Sequence, residues 1–486
     1  MTFNHKLIVR TVSVILLIEG LFMLPSLILA WHDGAAQTLR GFLWSFLAVE
    51  AAGIISYFST QSYKVKMKIR ESYYVVIVSW LTVIAVGFLP YFLSGSGYSV
   101  IDSLFESVAS WTTTAAWVLD IDAMPRALVL WKAVSNWLGG MGIILLAVLI
   151  LSTLGVSGQK LAGAETPGPE LEKHTARMVD TVRILYTIYI IASLAEFFLL
   201  RLGRVPLFDA LINTMSTIST AGMLDYKGSI ETHFNAYVKL VLVCFTVLTS
   251  LNFIIYVNAA RGKFREALRD YEMHVFIAMI GGSTLFTAAM LFITGYFDNI
   301  PQALINGATG VVSFASTTGL PLEHSERWPA ACRVVLLLLM IVGGCGNSTA
   351  GGIKVIRFAV LVKLIRRGVY KKIHPRAVKP VMIRDTAVSA LNVSSISTFI
   401  LLAFGVFIAS CVLLSFENLD METTVMAPIT LFSNCGIGFG RLAEGNYTIF
   451  SSAGKIYCCL LMILGRLEMY ALLILFSRSF WNPDKA

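Results

Sequence analysis

Apolar blocks of about 20 residues recur along the whole chain, and each is long enough to cross a lipid bilayer as a helix. Hydrophobic residues make up 56% of the 486 residues and charged residues 14%, whereas about 25% charged residues is usual in a soluble domain. The pattern therefore predicts an all-α polytopic membrane protein. The blocks lie near 8–30, 41–60, 72–94, 131–154, 182–203, 235–258, 273–296, 331–365, 393–416 and 453–479.

Lysine and arginine residues are concentrated in alternate connections between these blocks, at 64–70, 160–177, 261–269 and 363–384. The positive-inside rule places these connections and both termini in the cytoplasm. The net charge of +9 is therefore interpreted as membrane topology, and no nucleic-acid partner is expected. Lys6 and Arg10 precede the first block without a cleavage site, so this block is predicted to remain a helix. The seven cysteines form no CxxC pair, which indicates neither disulfides nor zinc.

Four shorter apolar stretches lie between pairs of full-length blocks and end in small and hydroxyl residues, at 110–117, 216–223, 314–320 and 431–440. Each is too short to span the bilayer, so we expect it to enter and leave from the same side. A unit of span, re-entrant segment and span then occurs four times, as internal repeats do in many transporters. The predicted organisation is 1–70 for two leading helices, then repeats at 71–155, 180–260, 271–370 and 385–486.

Non-helical backbone is tolerated at membrane depth only where it lines water or is buried in protein. Four such stretches around one axis would offer carbonyl oxygens that replace the hydration shell of a cation. A short helix before each stretch would direct its negative C-terminal end at the path. Any one stretch alone is also compatible with an ordinary loop, but four in equivalent places favour a pore. The predicted ion-binding residues are Thr113, Thr114, Ala115, Thr220, Ala221, Gly222, Thr317, Thr318, Gly319, Asn434, Cys435 and Gly436.

Residues able to cap these short helices stand 13 positions before the last residue of each predicted set: Asp102, Asp209, Asn306 and Thr423. Pro301 indicates that the third short helix begins before Asn306. The sequence therefore predicts helix starts near three of these four residues.

The eighth block is interrupted by the sequence GGCGNSTAGG at 343–352. Its glycines and polar side chains are incompatible with a rigid helix facing lipid, so we expect a break and a flexible loop inside the protein. Close helix packing through small residues is the alternative. A phosphate-binding loop is not indicated, because the GxxxxGK[ST] order is absent. The residues concerned are Gly343, Gly344, Gly346, Asn347, Ser348, Thr349, Gly351 and Gly352.

Arg466 and Glu468 lie within the last apolar block. Charged residues inside a span are costly and mark either an ion pathway or a buried pair. In a cation pore, Arg466 would raise the energy of each entering ion. A structural pair with a carboxylate on another helix is the alternative, and both roles are compatible.

These motifs resemble those of the TrkH/TrkG potassium transporters, within the Trk/Ktr/HKT superfamily, over essentially the whole chain. The resemblance rests on the four stretches, on GGCGNSTAGGIK at 343–354, on HPRA at 374–377 and on LGRLE at 464–468. It implies four fused potassium-channel-like repeats around one pore, with K+ bound in the filter and no organic cofactor. It implies a homodimer among lipids of the bacterial inner membrane, with a cytoplasmic nucleotide-binding regulatory subunit of the TrkA kind. It also implies that the 343–352 loop gates the pore and that Arg466 contributes to the barrier.

The first stretch departs from the family pattern TTTGAT, because residues 112–117 read TTTAAW. If position 115 requires a positive φ, alanine costs roughly 1–2 kcal/mol relative to glycine and adds a methyl group. Relatives of the HKT kind with a non-glycine first loop are more permeable to sodium. We therefore expect weaker selectivity for potassium over sodium, and a sodium-permeable or potassium/sodium-coupled transporter is the alternative function.

Two other classes of function were considered. A secondary transporter for an organic solute would need a midplane pocket and buried carboxylates, and the blocks contain few acidic residues. An enzyme is not expected, because no HExxH motif, no serine-centred elbow and no cluster of His, Asp and Glu is evident.

Overall fold

The computed structural model describes residues 5–60, 69–142, 178–224, 230–322, 325–377, 379–384 and 386–481. Helices dominate these ranges, in which the one sheet is a hairpin pairing Met382–Ile383 with Thr386–Ala387. Most of the first two predicted basic connections, within 61–68 and 143–177, lies outside the described residues. The end predicted for the first repeat, residue 155, lies outside the described residues, and the end predicted for the leading helices, residue 70, lies beside the gap at 61–68.

Two leading helices, α1 (His5–His32) and α2 (Ala36–Ser59), pack against each other and precede four units of similar plan. Helix α1 also contacts the first unit. The first unit contains α3 (Ile69–Gly87), α4 (Leu89–Leu93), α5 (Val100–Trp111) and α6 (Arg126–Met141). The second contains α7 (Met178–Leu202), α8 (Leu207–Ile218), α9 (Ile230–His233), α10 (Ala236–Ser250), α11 (Phe253–Ala260) and α12 (Phe264–Leu268).

The third and fourth units repeat this plan of a long helix, a short buried helix and a second helix. The third contains α13 (Tyr271–Ile293), α14 (Ile300–Ala315), a 3-10 turn (Ser325–Arg327), α15 (Ala330–Val342) and α16 (Val355–Ile373). The fourth contains the hairpin, α17 (Ala390–Ser415), α18 (Met421–Phe432), a 3-10 turn (Gly440–Leu442), α19 (Ser452–Arg466), α20 (Tyr470–Leu475) and α21 (Arg478–Trp481).

Six helices of the described chain are long and apolar enough to cross a membrane, and a seventh span results if the bent pair α10–α11 is counted as one. The six agree with the blocks predicted near 8–30, 41–60, 72–94, 182–203, 273–296 and 393–416. The other four blocks supply the second helix of each unit, and none of these helices runs unbroken through its block. Helix α6 ends at Met141, α10 and α11 meet at an 85° bend, α15 ends at Val342 and α19 ends at Arg466. Only the break after α15 was predicted.

The short helices begin one turn earlier than predicted. Ser99 caps α5 by accepting a hydrogen bond from the Asp102 amide at 3.0 Å, and Asp420 caps α18 in the same way with the Thr423 amide at 3.0 Å. Asp102, Asp209 and Thr423 therefore occupy the third helical position, where a polar side chain can bond back to the cap. Asn306 lies inside α14, as Pro301 indicated.

Candidate functional site

The same turn follows all four short helices. Two residues after each helix ends, a non-glycine residue adopts a left-handed φ: 53° at Thr113, 56° at Thr220, 55° at Thr317 and 54° at Asn434. The amide of the next residue then bonds back into the helix, with nitrogen–oxygen distances between 2.8 and 3.0 Å. The pairs are Thr114–Ala109, Ala221–Ser216, Thr318–Ser313 and Cys435–Thr430.

These turns are strained, because a β-branched residue rarely adopts a positive φ and three of the four are threonines. Such a conformation costs about 1–3 kcal/mol and persists where the surroundings enforce it, most often at functional sites. The φ values of these four equivalent residues lie within 3° of one another, which indicates that the strained turn is a shared feature of the four repeats. This feature was not predicted from the sequence.

The four stretches lie in contact with one another in succession. A Cβ placed on Gly222 would overlap the Thr318 carbonyl, and one on Gly319 would overlap the Cys435 carbonyl. A Cβ on Gly436 would overlap the backbone of Ala115. The second stretch therefore contacts the third, the third contacts the fourth, and the fourth contacts the first. The predicted ion-binding residues of the four stretches thus meet where the C-terminal ends of the four short helices converge, and these ends supply negative potential.

The first stretch departs from the third and fourth after the shared turn. The Gly319 and Gly436 amides bond back to their own short helices, at 3.3 Å to the Ser313 and Thr430 carbonyls. The Ala115 amide instead donates to the Cys435 carbonyl of the fourth stretch at 3.2 Å.

The departure continues at Trp117, which pairs with the loop that follows the fourth stretch. Its amide donates to the Gly445 carbonyl at 2.8 Å, and its carbonyl accepts from the Tyr447 amide at 2.9 Å. Its indole nitrogen donates to the Glu444 carbonyl at 2.7 Å. The first stretch is therefore fixed to the fourth repeat by backbone pairing.

The condition under which alanine would be strained, a positive φ at position 115, is not met. Gly222, Gly319 and Gly436 have φ values of 62°, 70° and 84°, whereas Ala115 does not adopt a positive φ. The physical reason is the bond to Cys435, which holds the first stretch in another backbone conformation. The alanine methyl group remains close to the third stretch, since a Cβ on Gly319 would lie 2.8 Å from that of Ala115.

The predicted glycine-rich loop joins α15 to α16 and contacts the second unit on one side. The Cys345 amide donates to the Ser250 carbonyl at 3.0 Å, and the Phe253 amide donates to the Asn347 carbonyl at 3.0 Å. These bonds fall at the bend between α10 and α11. The break in the second unit therefore provides the backbone groups that receive the loop of the third.

The other end of the loop contacts two of the four strained turns, those of the third and fourth stretches. The Gly351 amide donates to the Thr317 hydroxyl at 2.6 Å, and the Gly352 amide donates to the Ser433 carbonyl at 3.1 Å. Both partners lie where a short helix ends. The loop therefore lies against the helix-end side of the third and fourth stretches.

Arg466 connects this loop to the first unit. Its guanidinium donates to the Thr113 hydroxyl at 3.3 Å, to the Thr349 carbonyl at 3.2 Å and to the Gly140 carbonyl at 3.0 Å, and it also bonds the Gly139 carbonyl. A positive charge thus lies beside one of the strained turns and one of the loop carbonyls. Glu468 of the same block forms an ion pair with Arg357 of α16.

Sequence analysis missed Glu272, a buried residue near the start of α13. Its carboxylate accepts hydrogen bonds from the Gly346 amide at 2.7 Å and the Ile356 amide at 3.1 Å. Glu272 therefore joins the interior of the glycine-rich loop to the first turn of α16. The one indication in the sequence was that this acidic residue directly precedes the apolar block 273–296. Lys354, quoted only as part of a motif, is also buried and its ammonium donates to the Ala350 carbonyl.

Comparison with known proteins gives a consistent result. Residues 38–482 match the TrkH family, described as cation transport proteins. The chain is 30% identical to the Trk system potassium uptake protein TrkH of Salmonella typhimurium, over 99% of this chain and 100% of that protein. It is also 30% identical to TrkG of Escherichia coli, over 99% of both chains. The crystal structure of the potassium transporter TrkH from Vibrio parahaemolyticus superposes with a TM-score of 0.87 and 27% identity, covering 99% of this chain and 100% of that one.

Proposed function

Since the chain belongs to the TrkH family of cation transport proteins, we propose that it takes up potassium ions across the bacterial inner membrane. It is an all-α, multi-pass membrane protein and a transporter rather than an enzyme, and the predictions of family and fold class are confirmed. The single observation that carries the proposal is the strained turn that occurs at the end of each of the four short helices. The four stretches after these turns converge on one another, as an ion-coordinating filter requires.

The filter is assigned to the twelve residues from Thr113–Ala115, Thr220–Gly222, Thr317–Gly319 and Asn434–Gly436. Potassium is the transported substrate, and carbonyl oxygens replace its hydration shell as it passes. The ends of α5, α8, α14 and α18 surround the path, and their dipoles favour a cation there without a fixed negative charge.

The gate is assigned to residues 343–352 together with Arg466. The loop lies against the strained turns and is bonded to Thr317 and Ser433, so an ion leaving the filter meets the loop backbone. The Arg466 guanidinium adds an electrostatic barrier beside Thr113. Passage then requires the loop to leave these partners, while Glu272 ties Gly346 of the loop to Ile356 of α16.

The assembly proposed is a homodimer in the inner membrane, with both termini in the cytoplasm and a nucleotide-binding regulatory subunit of the TrkA kind. The basic helix α16 supports a cytoplasmic docking surface, since it contains Lys363, Arg366, Arg367, Lys371 and Lys372. This helix follows the glycine-rich loop directly, so a subunit that binds α16 would act on the loop through Lys354 and Val355.

A sodium-permeable or potassium/sodium-coupled transporter is the second candidate, and the first stretch favours it. One carbonyl of the fourth stretch, that of Cys435, accepts the Ala115 amide at 3.2 Å and is therefore less available to an ion. Weaker coordination in one quarter of a ring lowers the preference for the ion that fits the ring best.

The experiment is potassium-dependent growth of a bacterium deficient in potassium uptake, expressing this chain with and without a TrkA-like partner. Growth at low potassium that depends on the chain is the expected result. Flux into liposomes with potassium or sodium as the only cation distinguishes the two candidates. Absence of flux for either ion refutes both.

A further inference from the structure

A buried ion pair lies behind the first stretch. Glu106 of α5 is fully buried, and one of its carboxylate oxygens, Oε2, accepts a hydrogen bond from the Lys132 ammonium of α6 at 2.6 Å. The Lys132 side chain is only 5% exposed. Burying both charges removes them from water, a cost that is offset only when the pair is close and its remaining acceptor sites are used.

The second carboxylate oxygen of Glu106 supplies that further bonding. Oε1 accepts from the Val118 amide at 2.7 Å and from the Leu119 amide at 2.8 Å. Both amides belong to the segment that leaves the first stretch. Because the Thr114 amide is already bonded to the Ala109 carbonyl of α5 at 2.9 Å, the same short helix holds the stretch at both ends.

The other three repeats have no carboxylate at the equivalent position, nine residues before the last filter residue. Asn213 donates to the Asp209 carbonyl within its own helix, at 2.7 Å. The third repeat has Gly310, against which the Trp328 ring packs, and the fourth has Ala427. The carboxylate therefore occurs only in the repeat whose stretch contains Ala115 and leaves the common backbone course.

We propose that the Glu106–Lys132 pair is a positioning element that sets the preference between potassium and sodium by fixing the first stretch. The proposal rests on the proposed function, because it assigns a specificity role within the same filter. Ion preference depends on small displacements of coordinating carbonyls, so the groups that hold them need rigid support. Oε1 of Glu106 is that support, and Lys132 neutralises its charge.

The test compares two double variants of the full chain in liposomes. Glu106→Gln with Lys132→Met removes both charges but keeps a side-chain oxygen for the Val118 and Leu119 amides. Glu106→Leu with Lys132→Met also removes both charges and leaves these amides without an acceptor. The two proteins differ only at position 106, in whether an acceptor remains. Apolar replacement of a whole buried ion pair is often tolerated, which favours folding of both.

The measurement is the sodium-to-potassium permeability ratio from reversal potentials. We expect the ratio of the leucine variant to move towards unity by about fivefold, the factor equivalent to two lost hydrogen bonds at the lower limit of their strength. The glutamine variant should keep the wild-type ratio. Glu106→Asp, which keeps the charge but shortens the side chain, should give an intermediate shift and serves if the leucine variant does not fold. Asn213→Ala is the matched control in the second repeat and should leave the ratio unchanged.

A wild-type ratio in the leucine variant, or in the aspartate variant where that one serves, overturns the proposal. An equal shift in the glutamine and leucine variants also overturns it, since the acceptor would then not matter. If the wild-type protein carries neither cation, the proposed function fails instead, so the two failures are distinguishable. A merely structural role would reduce the amount of folded protein without changing the ratio.

Discussion

Replacing Gly351 with alanine is expected to raise the cation flux, because the new methyl group cannot fit while the loop lies against the filter. A Cβ at this position would overlap the Ser433 carbonyl oxygen and lie 3.1 Å from the Thr317 hydroxyl. Gly351 does not adopt a left-handed φ, so alanine is not strained by its own backbone. The substitution therefore acts on the contact between loop and filter.

The magnitude follows from the two hydrogen bonds that the displaced loop gives up. They join the Gly351 amide to the Thr317 hydroxyl at 2.6 Å and the Gly352 amide to the Ser433 carbonyl at 3.1 Å. Each contributes about 0.5–1.5 kcal/mol, or about 1–3 kcal/mol together. A change of this size shifts a closed-to-open equilibrium about 5- to 150-fold.

The assay is potassium flux, or single-channel open probability, for the purified protein in liposomes. Gly368→Ala is the matched control, because a Cβ there has no neighbour within 4 Å, and its flux should equal that of the wild type. Equal or lower flux in a monodisperse Gly351→Ala protein would show that the contact does not restrict passage, and the assigned gate would be wrong.

Three further outcomes are expected. Ala115→Gly removes the methyl group beside Gly319 and should increase potassium preference in reversal-potential measurements, while identical ratios in both proteins contradict this. Arg466→Met removes the positive charge of the barrier and should increase potassium flux about tenfold, equivalent to about 1.4 kcal/mol, and unchanged flux in liposomes counts against the barrier. Bonds from the Thr423 amide and hydroxyl hold the pKa of Asp420 below its usual value. A lowered pKa stabilises the fold above the ordinary aspartate range, and this contribution is lost as pH falls through the folded-state pKa. Asp420→Asn keeps the cap without the titration, so its thermal midpoint should fall less than that of the wild type between neutral pH and pH of about 3, and equal falls refute the assignment.

The sequence was sufficient to predict the long helices and the places where the short ones end. Length and apolar content determine a membrane helix almost by themselves, as the agreement of 393–416 with α17 illustrates. The glycine-rich break after α15 was also predictable, because five glycines in ten residues oppose a helix.

The bend between α10 and α11 was not predictable by the same rule. Around the bend after α10 the sequence reads TSLNF, with no glycine or proline. The bend depends on partners from elsewhere, since the Ser250 carbonyl accepts from Cys345 and the Phe253 amide donates to Asn347. Such bonds between repeats cannot be predicted from a local sequence pattern.

The backbone conformation of the first stretch was not predictable from the sequence for a related reason. The sequence left open whether Ala115 shares the positive φ of the three equivalent glycines, and the bond from its amide to the Cys435 carbonyl accompanies a different conformation. The role of Glu106 was hidden too, because its partners Val118 and Leu119 are ordinary apolar residues in the sequence. Every residue except proline has a backbone amide, so residue type does not reveal which amides donate to a buried side chain.

Fusion of the four repeats into one chain has a consequence for how such a filter can change during evolution. In a tetramer of identical subunits, every substitution appears four times around the axis, so an added methyl group would be introduced at four places at once. Here the equivalent positions carry alanine once and glycine three times, and the second residue after the helix end is threonine three times and asparagine once. Each of the four stretches of the proposed filter can therefore change independently of the other three. Selectivity can then be adjusted by single substitutions, which a symmetric assembly does not permit.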